Sequence, residues 1–271
     1  MLYLLGLPIG NTEDITERGR QLIKEQTFFL AEDTRVFKSL LRALEISLEG
    51  KTIRSFHDHS SEAQATAWAD NIVKGDDWVL VSDAGSPVIS DPAYPLVKAV
   101  LEGGGEIRSV TGVSSVLCAL ELSGLPPHPF LFHGFLPRTD SKKRELFKNL
   151  KSGTSLFFES PHRMKRTLEI LEVEYPDFNL AVCRELTKTY ESVYRFKAGD
   201  FSENRLLIDF RGEFVLVIYK EKSEQDFDIP VNLIEKYLDG DQKPKALAKI
   251  FSKLTGWPIK DIYQKLKSSN Q

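Results

Sequence analysis

The stretch Val79-Leu80-Val81-Ser82-Asp83-Ala84-Gly85-Ser86-Pro87 runs from an apolar strand into a carboxylate and several small residues. Small residues let a ligand approach the backbone, and open parallel sheets bind ligands at the carboxyl ends of their strands. Asp83 would accept there from an amine or a ribose hydroxyl, and Gly85 would present amide groups. An ordinary Asx-turn ending a strand needs the same residues. Two further segments have this character. Leu5-Gly6-Leu7-Pro8-Ile9-Gly10-Asn11 precedes a helix, and Val110-Thr111-Gly112-Val113-Ser114-Ser115 offers a serine as helix cap or ligand donor. Three such loops on one sheet predict a ligand cleft. The phosphate-gripping patterns G-x-x-x-x-G-K-[ST] and G-x-G-x-x-G do not occur, and Gly103-Gly104-Gly105 reads as a helix-to-strand turn.

Three polar clusters follow strand candidates. Ala31-Glu32-Asp33-Thr34-Arg35 fits a helix cap with Asp33 or Thr34 at the N-cap, or a substrate contact and general base. In Phe158-Glu159-Ser160-Pro161-His162-Arg163 the cap explains Ser160 and Pro161 but leaves Glu159, His162 and Arg163 gathered where ligands bind. Arg184-Glu185-Leu186-Thr187-Lys188-Thr189-Tyr190-Glu191 is similar. His57-Asp58-His59-Ser60 lacks third and fourth ligands at suitable spacing, so no metal is expected. Cys118 and Cys183 lie far apart in apolar stretches, which points to free thiols and a cytoplasmic protein.

These groups need a scaffold. Strands are expected at Leu2–Gly6, Thr27–Ala31, Thr52–Ser55, Trp78–Ser82 and Glu106–Val110. Helices are expected at Asp14–Glu25, Arg35–Leu44, Glu62–Lys74, Ala93–Leu101 and Val113–Leu122. Such alternation predicts an α/β domain over 1–124, with a largely parallel sheet and helices on both faces. Strands at Phe130–His133, Ser155–Phe158, Asn179–Arg184, Tyr190–Lys197 and Glu213–Lys220, with few helices among the later ones, predict a mixed sheet over 125–222. A polar linker then leads to a small lysine-rich helical domain over 229–271. The opening residues run into Pro8 without a basic leader and read as a first strand, and no membrane span is expected.

An apolar fraction of 41% in 271 residues supports ordinary cores, and a formal net charge of −3 argues against a generic nucleic-acid binder. Charge is uneven, however. Nine Lys/Arg face three acids between Arg138 and Arg166, and seven lysines face Asp261 alone between Lys243 and Lys267. Local stripes of this kind can hold a polyanion, and a solvated helix face shows the same pattern.

In order, Pro8-Ile9-Gly10-Asn11, Ala31-Glu32-Asp33-Thr34-Arg35, Ser82-Asp83-Ala84-Gly85, Ile89-Ser90-Asp91-Pro92, Gly134-Phe135-Leu136-Pro137, Glu159-Ser160-Pro161-His162-Arg163 and Arg184-Glu185-Leu186-Thr187-Lys188 resemble the tetrapyrrole-methylase (class III methyltransferase) superfamily. Within it they resemble the branch acting on small-subunit ribosomal RNA. Thr111 stands where that branch usually has proline, and Ser86 where it usually has threonine. The resemblance implies a two-domain fold, usually homodimeric, with S-adenosylmethionine between the domains. Pro8, Gly10, Asp83, Ala84, Gly85, Ser86, Gly112, Ser114 and Ser115 would form the cofactor wall. The implied reaction is displacement at the sulfonium methyl by the 2′-oxygen of a cytidine in the decoding region of 16S ribosomal RNA, naked or in the small ribosomal subunit. A ribose hydroxyl is protonated at pH 7, so a base should assist; Asp33, Glu32, Glu159 and His162 are the candidates. Arg35, Arg163, Arg184 and Lys188 would hold phosphates. Competing readings are a methyltransferase of the same superfamily acting on a tetrapyrrole or other small substrate, and a non-enzymatic ribosome-binding module.

Overall fold

The computed structural model describes residues 1–56, 62–89, 93–222, 244–255 and 258–268. The chain divides into two compact units, Met1–Lys222 and Ser223–Gln271.

The first unit contains two five-stranded sheets. Strands β1 (Leu2–Leu5), β2 (Phe28–Ala31), β3 (Thr52–Ser55), β4 (Trp78–Val81) and β5 (Ile107–Val110) pair in the order β3-β2-β4-β1-β5, all parallel. Every strand lies within a residue of its expected bounds. Because side chains alternate across a strand, the sheet sorts its apolar residues onto two faces. Leu5, Phe29, Val79 and Val81 pack with Ile23 of α1 (Glu17–Glu25) and Phe37 and Leu41 of α2 (Thr34–Ala43). Leu2, Leu30, Trp78 and Leu80 pack with Ile72 of α3 (Glu62–Lys74) and Leu96 and Val100 of α4 (Tyr94–Glu102). The sheet is therefore covered on both faces, as the near-continuous apolar run of β4 requires.

The second sheet comprises β6 (Phe130–Phe135), β7 (Gly153–Glu159), β8 (Asn179–Arg184), β9 (Ser192–Lys197) and β10 (Phe214–Lys220) in the order β6-β7-β10-β8-β9. Only β6 and β7 run parallel; the other pairs are antiparallel. One face packs on α6 (Asp140–Lys148) and α7 (Pro161–Glu174) through Phe147, Met164, Leu168 and Leu171. The other face is covered by α5 (Ser115–Ser123), whose Val116, Ala119 and Leu120 meet Leu156, Ala181, Cys183 and Val217. Helix α5 thus leaves the end of β5 and buries itself against the other sheet. Gly124, at φ +68, ends it in the left-handed conformation that a glycine C-cap supplies cheaply. A four-residue helix, α8 (Phe201–Asn204), lies between β9 and β10.

In the second unit, α9 (Pro244–Thr255) and α10 (Ile259–Ser268) pair through Leu247, Ala248 and Phe251 against Ile262 and Leu266. Among the described residues no helix is long and apolar enough to cross a membrane.

Candidate functional site

The loops after β1, β4 and β5 converge at one end of the parallel sheet. Leu7 and Gly85 form an isolated antiparallel bridge, Leu7 N–H donating to Gly85 O at 2.9 Å and Gly85 N–H to Leu7 O at 3.1 Å. The expectation that Gly85 offers free amides is therefore corrected, since both its backbone groups are bonded within the protein. What Gly85 supplies is its conformation, at φ +71. Gly6 and Gly112 touch backbone to backbone, and a Cβ on Gly112 would lie 2.5 Å from Gly6 O.

These loops form one wall of a cleft of about 410 Å³, within the usual ~300–1,000 Å³ of small-ligand sites. Of the nine expected cofactor residues, Ala84, Gly85, Ser86, Ser114 and Ser115 line it, with Ile9 and Ile89 beside them. Pro8 is buried behind the wall, and Gly112 holds the two loops together. Gly10 leaves room for the loop after β8: a side chain there would collide with Lys188, and Asn11 N–H donates to Thr187 Oγ1 at 3.2 Å. Asp83 is exposed and is not among the residues that line the cleft.

The facing wall comes from the second sheet. Glu159 is the one expected site residue on it, and most of the others lie in or beside the sequence motifs with no cofactor role expected of them. The wall includes Phe135, Phe158, Pro161, Cys183, Leu186, Gly212, Glu213 and Val215. Phe135 is 62% exposed and meets Phe158 edge-on at 5.3 Å, which leaves an aromatic surface open to a planar ligand. Burial pushes the Cys183 thiol up to about 12, so it remains a neutral, apolar part of the wall. Gly212, at φ +93, is clasped against Glu185, whose Oε1 accepts from Glu213 N–H at 2.9 Å. The signal for this wall is Arg211-Gly212-Glu213, a glycine between charges at the start of an apolar strand.

The acids divide sharply. Asp33 caps α2, its Oδ1 accepting from Arg35 N–H at 2.7 Å, while the Arg35 guanidinium pairs with its Oδ2 at 2.6 Å. Those bonds hold the Asp33 carboxyl well below the usual carboxylate range, which makes it a weak proton acceptor. Asp83 is the reverse: although the residue is exposed, partial desolvation pushes its carboxyl up, and the Asp33 charge adds to the effect against the Asp33 N–H bond and the Arg35 charge. Asp83 Oδ1 accepts from Asp33 N–H at 3.0 Å, and Glu32 Oε2 from Asp83 N–H at 3.3 Å, tying the ends of β2 and β4 together.

Glu159 has no exposed side-chain surface. Its oxygens accept from Lys143 Nζ at 2.6 Å, Thr167 Oγ1 at 2.8 Å, Arg163 Nη2 at 2.7 Å and its neighbour Ser160 N–H at 2.8 Å. The geometry corrects its reading as a base, because every acceptor direction is spent on holding the turn into α7. His162 is exposed at the start of that helix. Two of the expected phosphate grips are also committed. Arg184 is buried and donates to Arg211 O, Tyr190 O and Asp209 Oδ2, and Lys188 pairs with Glu185 and Glu213, each at 3.0 Å. Arg163 is 28% exposed and engaged with Glu159, with its Nη1 buried and unbonded. Arg35, 89% exposed, is the most accessible of the four. Among the described residues no group of three or more His, Cys, Asp or Glu could hold a metal ion, and His57-Asp58-His59-Ser60 lies outside them.

Known proteins extend this geometry. The chain is 36% identical to Ribosomal RNA small subunit methyltransferase I of Halalkalibacterium halodurans over 97% of its own length and 93% of that protein's. It is 37% identical to the protein of that name from Bacillus subtilis over 83% and 77%. Among solved structures, a diphthine synthase superimposes with a TM-score of 0.60 at 16% identity, covering 84% of this chain and 94% of that one. Uroporphyrin-III C-methyl transferase from Thermus thermophilus complexed with S-adenosyl homocysteine gives 0.51 at 18%, covering 81% and 97%; at these identities the likeness is one of fold. The Tetrapyrrole (Corrin/Porphyrin) Methylases profile matches residues 1–202, about three quarters of the sequence, and with relatives this similar along nearly its whole length the chain belongs to that methylase family.

Proposed function

We propose that this chain transfers a methyl group from S-adenosylmethionine to the ribose 2′-hydroxyl of a cytidine in the decoding region of 16S ribosomal RNA, in the cytoplasm and as a homodimer. The observation that carries the reading is similarity along 97% of the chain to proteins named Ribosomal RNA small subunit methyltransferase I. The cleft fits the cofactor: it has the right size, an open aromatic face at Phe135, and hydroxyls at Ser86, Ser114 and Ser115 for polar groups.

When bound, S-adenosylmethionine supplies an electrophilic methyl on sulfur. The protein's residues must then orient the ribose oxygen in line with that methyl, and orientation alone is worth up to ~7–11 kcal/mol of barrier. The apolar wall excludes water. The Asp33 carboxyl is held low and the Glu159 carboxylate is fully bonded. Glu32, which itself accepts from Asp83 N–H, and the exposed His162 are the two candidates to be compared as proton acceptor, and Arg35 is the most accessible cation for a phosphate.

Labelled cofactor should mark the small subunit or 16S RNA, with the label in a 2′-O-methylcytidine after nuclease digestion. Label on a tetrapyrrole instead would overturn the substrate, and no transfer to any of these would favour the ribosome-binding module. Single-turnover rates of Glu32→Gln and His162→Ala identify the acceptor, and wild-type rates in both leave positioning as the whole mechanism. Sedimentation equilibrium tests the dimer.

A further inference from the structure

A second cavity, of about 750 Å³, opens at the β6 edge of the second sheet, between that strand and α6. Its floor is apolar. Phe130 (40% exposed) and Leu131 (55% exposed) line it together with His133 and Leu146. One ring face of His133 is stacked on Phe157 at 4.6 Å, and burial pushes its imidazole down toward the neutral form. Apolar side chains left open on an edge strand invite a partner.

Charge tells which partner. Lys142 and Lys151 line the cavity and are exposed, as are Arg138 and Lys148 in the adjoining sequence. None of the four pairs with an acid among the described residues. The acids of this region are spent elsewhere: Asp140 and Glu169 hold Arg166, and Glu174 holds Arg144. Among the described residues Glu145 is the single acid lining the cavity. Four such cations against one carboxylate, on a chain whose formal net charge is −3, form a local complement to a polyanion. A duplex keeps its base faces stacked inside, whereas unpaired nucleotides bring both phosphates and flat apolar base faces, as an apolar floor rimmed by lysines demands.

We propose that this cleft docks an unpaired stretch of the RNA substrate, bases over Phe130 and Leu131 and phosphates at Lys142 and Lys151. It rests on the RNA reading above and adds to it a second binding surface, away from the cofactor cleft. The test uses the full chain and a fluorescein-labelled twelve-nucleotide oligouridylate, with binding followed by anisotropy across a salt series. The double variant K142Q/K151Q should bind more weakly, with a salt slope shallower by about 1.4, or ~0.7 for each single-strand phosphate that goes unneutralised. Phe130→Ala should weaken binding roughly fivefold or more at unchanged slope. Cofactor affinity should be untouched in both, and because Lys142 and Lys151 are exposed the double variant stays informative even if Phe130→Ala misfolds. If the wild type methylates 16S RNA and both variants bind oligouridylate normally, the docking cleft is wrong and the function stands. If Phe130→Ala dissociates a dimer in sedimentation without changing RNA affinity, the surface belongs to a second copy of the chain. A wild type that neither methylates 16S RNA nor binds oligouridylate overturns both readings.

Discussion

Two acid–arginine clusters follow strand ends in the same compact unit, and their fates are opposite. After β2, Asp33 and Arg35 chelate one another at the surface, with the arginine 89% exposed. After β7, Glu159 is fully buried between Lys143 and Arg163, with Thr167 completing the shell. Similar letters at similar places in a βα unit therefore do different work. An exposed pair contributes little to stability and is free to exchange its partner for a phosphate. A buried pair holds the backbone, because removing one member strands a charge in a low dielectric. The comparison teaches that the second cluster builds the cleft wall, which Glu159 and Ser160 line, while the Glu159 carboxylate is spent on bonds within the protein.

The largest effect should come from breaking the buried cluster. Lys143→Met or Glu159→Gln should cost about 3–5 kcal/mol, typical for removing one partner of a buried ion pair. For a unit of this size that corresponds to a melting temperature lower by roughly 6–20 °C in circular dichroism. The double variant should cost less than the sum, since the two side chains share one interaction. Arg35→Ala, by contrast, should leave the melting temperature nearly unmoved and show itself in RNA affinity. Similar melting temperatures for the two classes of variant would abolish the distinction.

Next in size is Gly85→Val. A β-branched residue at φ +71 carries strain of about 1–3 kcal/mol, and its Cβ would approach Ile9 Cγ2 at 3.4 Å in the cleft wall. Cofactor affinity, by calorimetry, should fall at least about tenfold. Gly50, at φ +73, would carry a Cβ with nothing within 4 Å of it and so separates strain from site. Gly50→Val should show comparable destabilisation and normal cofactor binding. Equal affinities in the two variants would remove Gly85 from the wall.

The strand ends are legible in the sequence because they rest on local rules, an apolar run stopped by small and polar residues. Burial of polar groups is not, because it depends on which elements meet. Lys143 stands in Lys142-Lys143-Arg144 and reads as part of a solvated stripe, yet α6 turns it inward to 1% exposure against Glu159. Lysines are almost never buried unless paired, and its partner lies sixteen residues away on another element. Arg184 misleads in the same way: its sequence position suits a phosphate grip, but its donors are spent on the loop carbonyls of Tyr190 and Arg211 and on Asp209. On the apolar wall Val215 carries no site signal, and Phe135 and Phe158 lie in sequence motifs whose polar members draw the attention, because each is also a plausible core residue of a sheet.

The smallest effect is the sharpest, because it predicts opposite signs for two aspartates joined by a hydrogen bond from the backbone of one to the side chain of the other. Arg35 holds Asp33 in its ionised form in the folded protein, so Asp33 adds stability above its unfolded value of ~3.9, and that stability is lost as pH falls through the lower folded value. Partial desolvation, with the Asp33 charge behind it, raises Asp83. Its contribution is therefore complete below the unfolded value and lost as pH rises through the folded one, so at pH 7 the ionised side chain works against folding. Asparagine at either position keeps the acceptor oxygen, for the helix cap at 33 and for Asp33 N–H at 83. At pH 7 Asp33→Asn should lower the melting temperature slightly and Asp83→Asn should raise it, and near pH 3 the Asp83 difference should vanish. The gain at Asp83 should come with weaker cofactor binding if the residue meets the cofactor as the resemblance implies, since stability is commonly traded for function. Two losses of equal size at pH 7 would mean that Asp83 is held ionised like Asp33, and the contrast within this acid cluster would fail.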